Sequence, residues 1–373
     1  MEENKVKAKV KPFVMIIFGG SGDLSQRKLL PALYHLYCDE KYFSDFAIIG
    51  MGMPEFSDAQ YGEFIGAAIN KNSPEQFDTE KYNAFARHLG YISGDLGTED
   101  VYRKICEYLA GSRFSESEFN LLFYLAIPPK LLPAVVSQLK KVNLCKGPYT
   151  SKIIVEKPFG VDRESASGLN KLLLGAFEEK QIYRIDHYLG KDTVQNILYF
   201  RFGNSIFEPL WNRRYIDHIQ ITVAEDIGIE HRGAFYEQSG VVRDIVQNHI
   251  LQLVALVAME PPVGFEADLI RDEKEKVFRT FRALDTEYID KFMVRGQYAG
   301  GSISGKQVPG YRGEKAVSPG SDTPTFFAGK FYIDNWRFSD VPFYVRTGKR
   351  MRKRATEIYV QFKQPPLGLF GKA

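Results

Sequence analysis

Val14-Met15-Ile16-Ile17-Phe18-Gly19-Gly20-Ser21-Gly22-Asp23-Leu24-Ser25 is the stretch that decides the fold. Five apolar residues run without a polar break, which suits a strand buried on both faces. Glycines follow at once, and then a helix pattern with Leu29, Leu33, Leu36 and Tyr37 near helical spacing. Glycines between a buried first strand and a first helix allow a tight turn. They also let backbone N–H groups approach a pyrophosphate. The string alone is weak evidence, and its placement makes it informative. Gly19, Gly20, Ser21, Gly22, Asp23 and Leu24 are therefore the candidate dinucleotide contacts. Ser25 stands where close helix–strand packing usually takes Gly or Ala.

Outward from this loop the alternation continues. Residues 46–49, 121–126 and 153–155 are further buried-strand patterns separated by helical ones, which indicates a parallel α/β sheet. After about residue 185 the texture changes. Residues 219–223, 330–333, 343–346 and 357–362 read as strands with fewer helices between them, and Ile358, Val360 and Phe362 share one face. The expected fold is α/β, a Rossmann-type dinucleotide-binding domain over residues 1–185. An α+β domain with a large, mostly antiparallel sheet follows over residues 186–373. Residues 300–325, rich in Gly, Ser and Pro, are expected to be an exposed, mobile loop.

Composition narrows the class of function. The chain has 373 residues, 44% hydrophobic and 25% charged, as in a soluble globular protein of two or three domains. A net charge of +3 gives no field that argues for nucleic acid. Cys38, Cys106 and Cys145 are odd in number and far apart, so neither a disulfide framework nor a metal site follows. A reducing, cytoplasmic location is expected. Residues 1–11 are charged and lack the apolar core of a secretory signal. The longest fully apolar run, residues 253–259, is too short to span a bilayer, so no membrane role is expected.

The chemistry concentrates in Arg184-Ile185-Asp186-His187-Tyr188-Leu189-Gly190-Lys191, between a strand-like run and a helix pattern. A helix N-terminus favours an anion, and His187, Tyr188 and Lys191 can add donors. The competing reading is a polar strand-to-helix loop. Among the histidines, His249 has the most suggestive setting. It lies in Arg243-Asp244-Ile245-Val246-Gln247-Asn248-His249, the polar front of a helix otherwise apolar nearly all round. An imidazole there can take a proton near neutral pH if an acid holds its other nitrogen, and a structural histidine is the alternative. Glu156-Lys157-Pro158 closes a strand, where a lysine points into the crevice used by ligands of open α/β sheets. Lys349 and Arg354 follow a late strand and are candidate anion contacts. The second strand ends in Gly50-Met51-Gly52-Met53-Pro54-Glu55, with neither acid nor arginine immediately at its end. That leaves NAD against NADP open.

Taken together, these motifs resemble the glucose-6-phosphate dehydrogenase family. The resemblance runs from about Phe13 to Phe370 and adds further ordered motifs. These include Pro209-Leu210-Trp211-Asn212-Arg213, residues 240–253, Ile270-Arg271-Asp272-Glu273-Lys274, Val294-Arg295-Gly296-Gln297-Tyr298, Ile333-Asp334-Asn335-Trp336 and Arg346-Thr347-Gly348-Lys349-Arg350. The resemblance implies that His249 is the general base on the sugar C1 hydroxyl and that Asp186 holds the imidazolium. His187, Tyr188 and Lys191 would bind the 6-phosphate, and Lys157 would lie between sugar and nicotinamide. Glu225 and Asp244 would bind sugar hydroxyls, with Lys349 and Arg354 approaching the substrate. The partner is then glucose 6-phosphate, the cofactor NADP or NAD, and the assembly a homodimer or homotetramer. Met53 replaces an arginine that many members use for the 2′-phosphate, which suggests relaxed preference or NAD use unless Arg27 or another cation substitutes. Asp192 replaces the usual Glu. Members also continue beyond the point where this chain reaches Gly371-Lys372-Ala373, so an exposed sheet edge is expected. The competing functions are a related two-domain oxidoreductase of an unphosphorylated sugar and an inactive shortened form.

Overall fold

The computed structural model describes residues 11–39, 45–114, 118–144, 149–303 and 305–367, except the side chain of His231. Cys145, residues 1–10 and residues 371–373 lie outside them. The chain divides into two compact units, Met1–Ile185 and Asp186–Ala373.

The first unit is built on six strands: β1 (Phe13–Phe18), β2 (Phe46–Gly52), β3 (Leu89–Ser93), β4 (Asn120–Leu125), β5 (Thr150–Val155) and β6 (Ile182–Arg184). They form one sheet in the order β3-β2-β1-β4-β5-β6, with every neighbour parallel. The order reverses at β1, between β2 and β4, and ligands of open α/β sheets bind at that switch point. The apolar run of β1 has a direct cause. Val14, Ile16 and Phe18 enter one core with Val101, Ile105 and Val135. Phe13, Met15 and Ile17 enter another with Leu30, Tyr34, Ile65 and Phe85. Both faces are covered, so no polar alternation is possible. β3 escapes the sequence reading because it is short and Gly90 interrupts its pattern.

The second unit carries β7 (Ile216–Ala224), β8 (Met293–Gly296), the hairpin β9 (Gly301–Ile303) and β10 (Lys306–Val308), then β11 (Phe326–Phe331), β12 (Phe343–Gly348) and β13 (Ala355–Phe362). The five-stranded sheet runs β13-β7-β12-β11-β8. Only β7 and β12 are parallel, and the other neighbours are antiparallel. The sheet is therefore mixed but mostly antiparallel, as expected. β13 and β8 are its outer strands.

A helical run packs on this sheet. Residues 233–258 are long and apolar enough to cross a membrane by length and composition, a length the purely apolar run of 253–259 does not reveal. In the fold it is the core element. Gly240 breaks it with φ 60°, a left-handed conformation that L side chains resist. Residues 253–259 are at most 4% exposed and lie in one cluster with Ile219, Ile221, Val223, Phe343 and Val345. Its C-terminal end is held by Arg201, fully buried, whose Nη1 donates to Leu256 O at 2.8 Å and Nη2 to Met259 O at 2.9 Å. Trp211 Nε1 donates to Val257 O at 2.8 Å.

The segment 300–325 is exposed over most of its length, as expected, and carries more structure than a plain loop. It contains the hairpin β9–β10, and Tyr311 and Ser321 are buried within it. Both hydroxyls donate to Glu237 Oε1, Tyr311 at 2.5 Å and Ser321 at 2.6 Å. Within it, turns and side-chain anchors are both present.

Candidate active site

In the first unit the glycine loop turns sharply after β1. Gly19 has φ +84°, and a Cβ there would sit 2.3 Å from Ala126 O, so no other residue fits without rebuilding the turn. The loop's N–H groups divide into two sets. Gly19 and Gly20 both donate to Met51 O, at 2.9 and 2.8 Å, and Gly22 donates to Gly19 O at 2.9 Å. The glycines thus fix the turn. The N–H groups of Ser21, Asp23 and Leu24, at the start of the following helix, are the ones the loop can offer to a phosphate. Ser25, the departure noted in the sequence, is fully buried and donates Oγ to Gly19 O at 2.8 Å. Its hydroxyl is satisfied, and it braces the same carbonyl as Gly22.

Met53 lies just beyond β2 and is 70% exposed. Arg27, one turn into the first helix, is 3.6 Å from Asp23 through its Nη1. It is thus a cation at the mouth of the loop. Lys157 lies just past the carboxyl end of β5, half-buried. Its neighbour Glu156 accepts a hydrogen bond from Tyr124 OH.

In the second unit two distant segments meet. His249 Nδ1 is 3.4 Å from Asp186 Oδ1, with the side chains 19% and 15% exposed. Asp186 Oδ1 also accepts from the Tyr188 N–H at 3.0 Å, which fixes the carboxylate against its own loop. The Tyr188 ring stacks on the imidazole, centroids 4.7 Å apart at 25°. Lys191 Nζ lies 4.1 Å from the centre of that ring. Burial raises the Tyr188 phenol above its usual value, so it stays a protonated donor at neutral pH. Its OH lies 3.0 Å from Thr356 Oγ1 in β13. His187 and Lys191 are exposed.

His249 and Asp244 lie on one stretch of unusual backbone. Residues 242–250 (Val242–Ile250) form a π-helix, closed by the Leu251 N–H on Val246 O. In an α-helix residues five apart diverge by roughly 140°, five steps of about 100°. In the π pattern i and i+5 are the hydrogen-bonded pair and diverge less than that, and such turns recur at functional sites.

β7 and β12 are parallel neighbours, so their C-terminal ends lie side by side, with Ala224 opposite Gly348. The next residues are Glu225 and Lys349, and the ammonium pairs with the Glu225 carboxylate. Lys349 Nζ is also 3.7 Å from Asp244 Oδ2 and 5.7 Å from the Tyr236 ring centre. Lys349 is only 3% exposed. A buried ammonium between two carboxylates fixes both as acceptors, and Asp244 Oδ2 has no hydrogen-bond partner among the described residues. Arg354 is exposed just before β13 and is not drawn into this cluster.

The sequence reading missed Thr356 and Tyr236. Thr356 lies on the face of Ile358, Val360 and Phe362, so a hydroxyl at the head of an apolar stripe was its available signal. Tyr236 carries none, because an aromatic in a helix pattern reads as core. Among the described residues there is no His/Cys/Asp/Glu group that could hold a metal ion.

Known proteins resemble the chain over nearly its whole length. Residues 16–196 match the family model described as glucose-6-phosphate dehydrogenase, NAD binding domain, and residues 198–373 match the model of its C-terminal domain. The chain is 43% identical over 365 residues to glucose-6-phosphate 1-dehydrogenase of Borreliella burgdorferi, covering 98% of this chain and 74% of that one. It is 44% identical over 358 residues to the Bacillus subtilis enzyme of the same name, covering 96% and 72%. A solved glucose-6-phosphate dehydrogenase in complex with glucose 6-phosphate superposes with a TM-score of 0.87 at 36% identity, covering 97% and 74%. The Mycobacterium avium glucose-6-phosphate 1-dehydrogenase does so at 0.83 and 39%, covering 96% and 74%.

Proposed function

The chain belongs to the glucose-6-phosphate dehydrogenase family, and we propose that it oxidises glucose 6-phosphate at C1 to 6-phosphogluconolactone, the hydride passing to a nicotinamide dinucleotide. The observation that carries the site assignment is the His249–Asp186 pair at 3.4 Å beside a loop bearing His187, Tyr188 and Lys191. Nδ1 faces Asp186, so the proton of the C1 hydroxyl goes to Nε2, and Asp186 stabilises the imidazolium that results. Tyr188 stacking restricts the ring to that plane. Lys191, His187 and the Tyr188 side chain bind the 6-phosphate at the head of the helix Asp192–Phe202. Glu225 and Asp244, held by Lys349, accept hydrogen bonds from sugar hydroxyls, while Arg354, exposed and outside this cluster, is not assigned to the sugar. Lys157 acts from the end of β5 on the nicotinamide side of the sugar. The nicotinamide, when bound, supplies the hydride acceptor.

Met53 in place of an arginine supports relaxed preference or NAD use, with Arg27 as the cation able to meet a 2′-phosphate. A homodimer or homotetramer in the cytoplasm completes the reading. Cys38 and Cys106 are free thiols.

The test is a spectrophotometric assay that crosses NAD and NADP with glucose and glucose 6-phosphate. NAD(P)H formation with the phosphorylated sugar is expected to exceed that with glucose by orders of magnitude. A preference for the bare sugar would overturn the substrate assignment. Within the same assay Lys191→Ala is expected to raise KM for glucose 6-phosphate about ten- to hundredfold, because a charged hydrogen bond of roughly 1.5–3 kcal/mol is lost. An unchanged KM would remove Lys191 from the phosphate site.

A further inference from the structure

The helix Ala267–Arg279 is charged along most of its length, and its surface charges pair among themselves. Arg271 meets Asp268 at 2.6 Å, Lys276 meets Glu273 at 2.7 Å and Arg279 meets Glu275 at 2.6 Å. Lys274 departs from this pattern. It is half-buried, has no salt bridge among the described residues, and donates Nζ to Gln252 Oε1 at 2.8 Å. Gln252 follows His249 by three positions on one continuous helical run, so the two lie on neighbouring positions of its surface.

An amide can hold an ammonium but cannot neutralise it. Burial lowers the Lys274 pKa below the usual lysine value, and Asp186 is the carboxylate whose charge opposes that shift. The imidazole faces Asp186 at 3.4 Å, and the Lys274 ammonium is anchored one turn further along His249's own helix. A carboxylate acting alone on a histidine binds a proton to it, and a base that holds its proton cannot accept one from substrate. A nearby cation opposes that pull. Other charged or titratable groups belong to the elements of the proposed site. Tyr188 and Lys191 come from the Asp186 loop, Asp244 from His249's helix, and Glu225 and Lys349 from the ends of β7 and β12. Lys191 is exposed, and Lys349 is committed to two carboxylates. On the helix Ala267–Arg279, Arg271 is committed to Asp268, which leaves Lys274, anchored on Gln252, as its cation without a salt bridge among the described residues.

We propose that Lys274 is a positioning residue for proton transfer. Anchored by Gln252, its charge offsets part of the Asp186 field at His249, so that Asp186 orients the imidazole without fixing a proton on it. This rests on the reading of His249 as the base.

The experiment compares Lys274→Met, Lys274→Arg and His249→Asn with the parent chain. The readouts are the pH profile of kcat/KM for glucose 6-phosphate and an NMR titration of the His249 ring without ligands. In Lys274→Met the acidic limb and the ring titration are expected to move up by about one pH unit, the scale of one partly screened charge. Lys274→Arg keeps the charge and should stay close to the parent. A Lys274→Met limb that superimposes on the parent's, or a rise in KM alone, overturns the proposal. If His249→Asn keeps near-parental turnover, the base reading falls and this proposal with it. If His249→Asn is inactive and the Lys274→Met limb is unmoved, only the Lys274 assignment falls. Should Lys274→Met fail to fold, Lys274→Gln, which keeps a donor for Gln252, is read in the same way.

Discussion

His249→Asn is expected to lower kcat by about 10²–10⁴-fold, the range for a lost general base, with KM for glucose 6-phosphate changed far less. Asparagine is close to histidine in reach and can keep a hydrogen bond toward Asp186, so the pocket stays filled and polar. What it lacks is a nitrogen that accepts a proton at neutral pH. The phosphate-binding groups His187, Tyr188 and Lys191 lie on another segment and are untouched, which is why the loss should appear in turnover rather than in binding. Initial rates of NAD(P)H formation under saturating substrate measure it. Turnover within a few-fold of the parent would remove His249 from the chemistry. A large rise in KM with kcat intact would make it a binding group instead. Asp186→Asn bears on the same pair from the other side: the imidazole keeps its nitrogen but loses the charge that steadies its protonated form.

The sequence makes the first unit almost fully legible, because its physics is local. An unbroken apolar run, glycines and an amphipathic pattern in that order admit few folds, and β1 packs on both faces as the run demands. The individual site residues were legible by type and setting. Their company was not. Nothing in the spacing shows that Lys349 sits buried against Glu225, since that follows from the parallel pairing of β7 with β12 across more than a hundred residues. Nor does a helical wheel place Asp244 and His249 on one face. Drawn at α-helical pitch it sets them roughly 140° apart, and the π-turn between them narrows that angle. The segment 300–325 holds structure that its composition does not reveal. Gly, Ser and Pro encode turns as readily as mobility, and the anchor that orders it, Glu237, lies far upstream.

Stability of the second unit is expected to depend heavily on a residue outside the chemistry. Arg201→Met should cost about 3–5 kcal/mol, the range for removing one partner of a buried charge network. The guanidinium is fully buried, and burial pulls it down to about 10, still far enough above neutrality for it to remain a cation. Both terminal nitrogens serve carbonyls at the end of the core helix, Leu256 O and Met259 O, where backbone acceptors lack intrahelical donors. Its Nη2 is also 3.5 Å from Glu208 Oε2, a buried oxygen without a hydrogen bond, while Glu208 Oε1 pairs with Arg337 at 2.7 Å. Methionine fills much of the same volume, so the loss is electrostatic rather than a cavity. It strands two helix carbonyls and half of a carboxylate. At about 2–4 °C per kcal/mol for a unit of this size, the melting temperature should fall by roughly 6–20 °C. Arg201→Met combined with Glu208→Gln should recover part of that loss, because the stranded charge is gone as well. Calorimetry or thermal circular dichroism decides it. A single variant that melts within 2 °C of the parent would show that the helix end does not need the cap, and a double variant no more stable than the single would show that the stranded Glu208 charge is not part of the loss. The consequence reaches the active site through covalent continuity. The helix that Arg201 closes at Leu256 and Met259 is the one whose preceding turn holds His249 opposite Asp186, so fraying from the capped end loosens the base before the sheet itself melts.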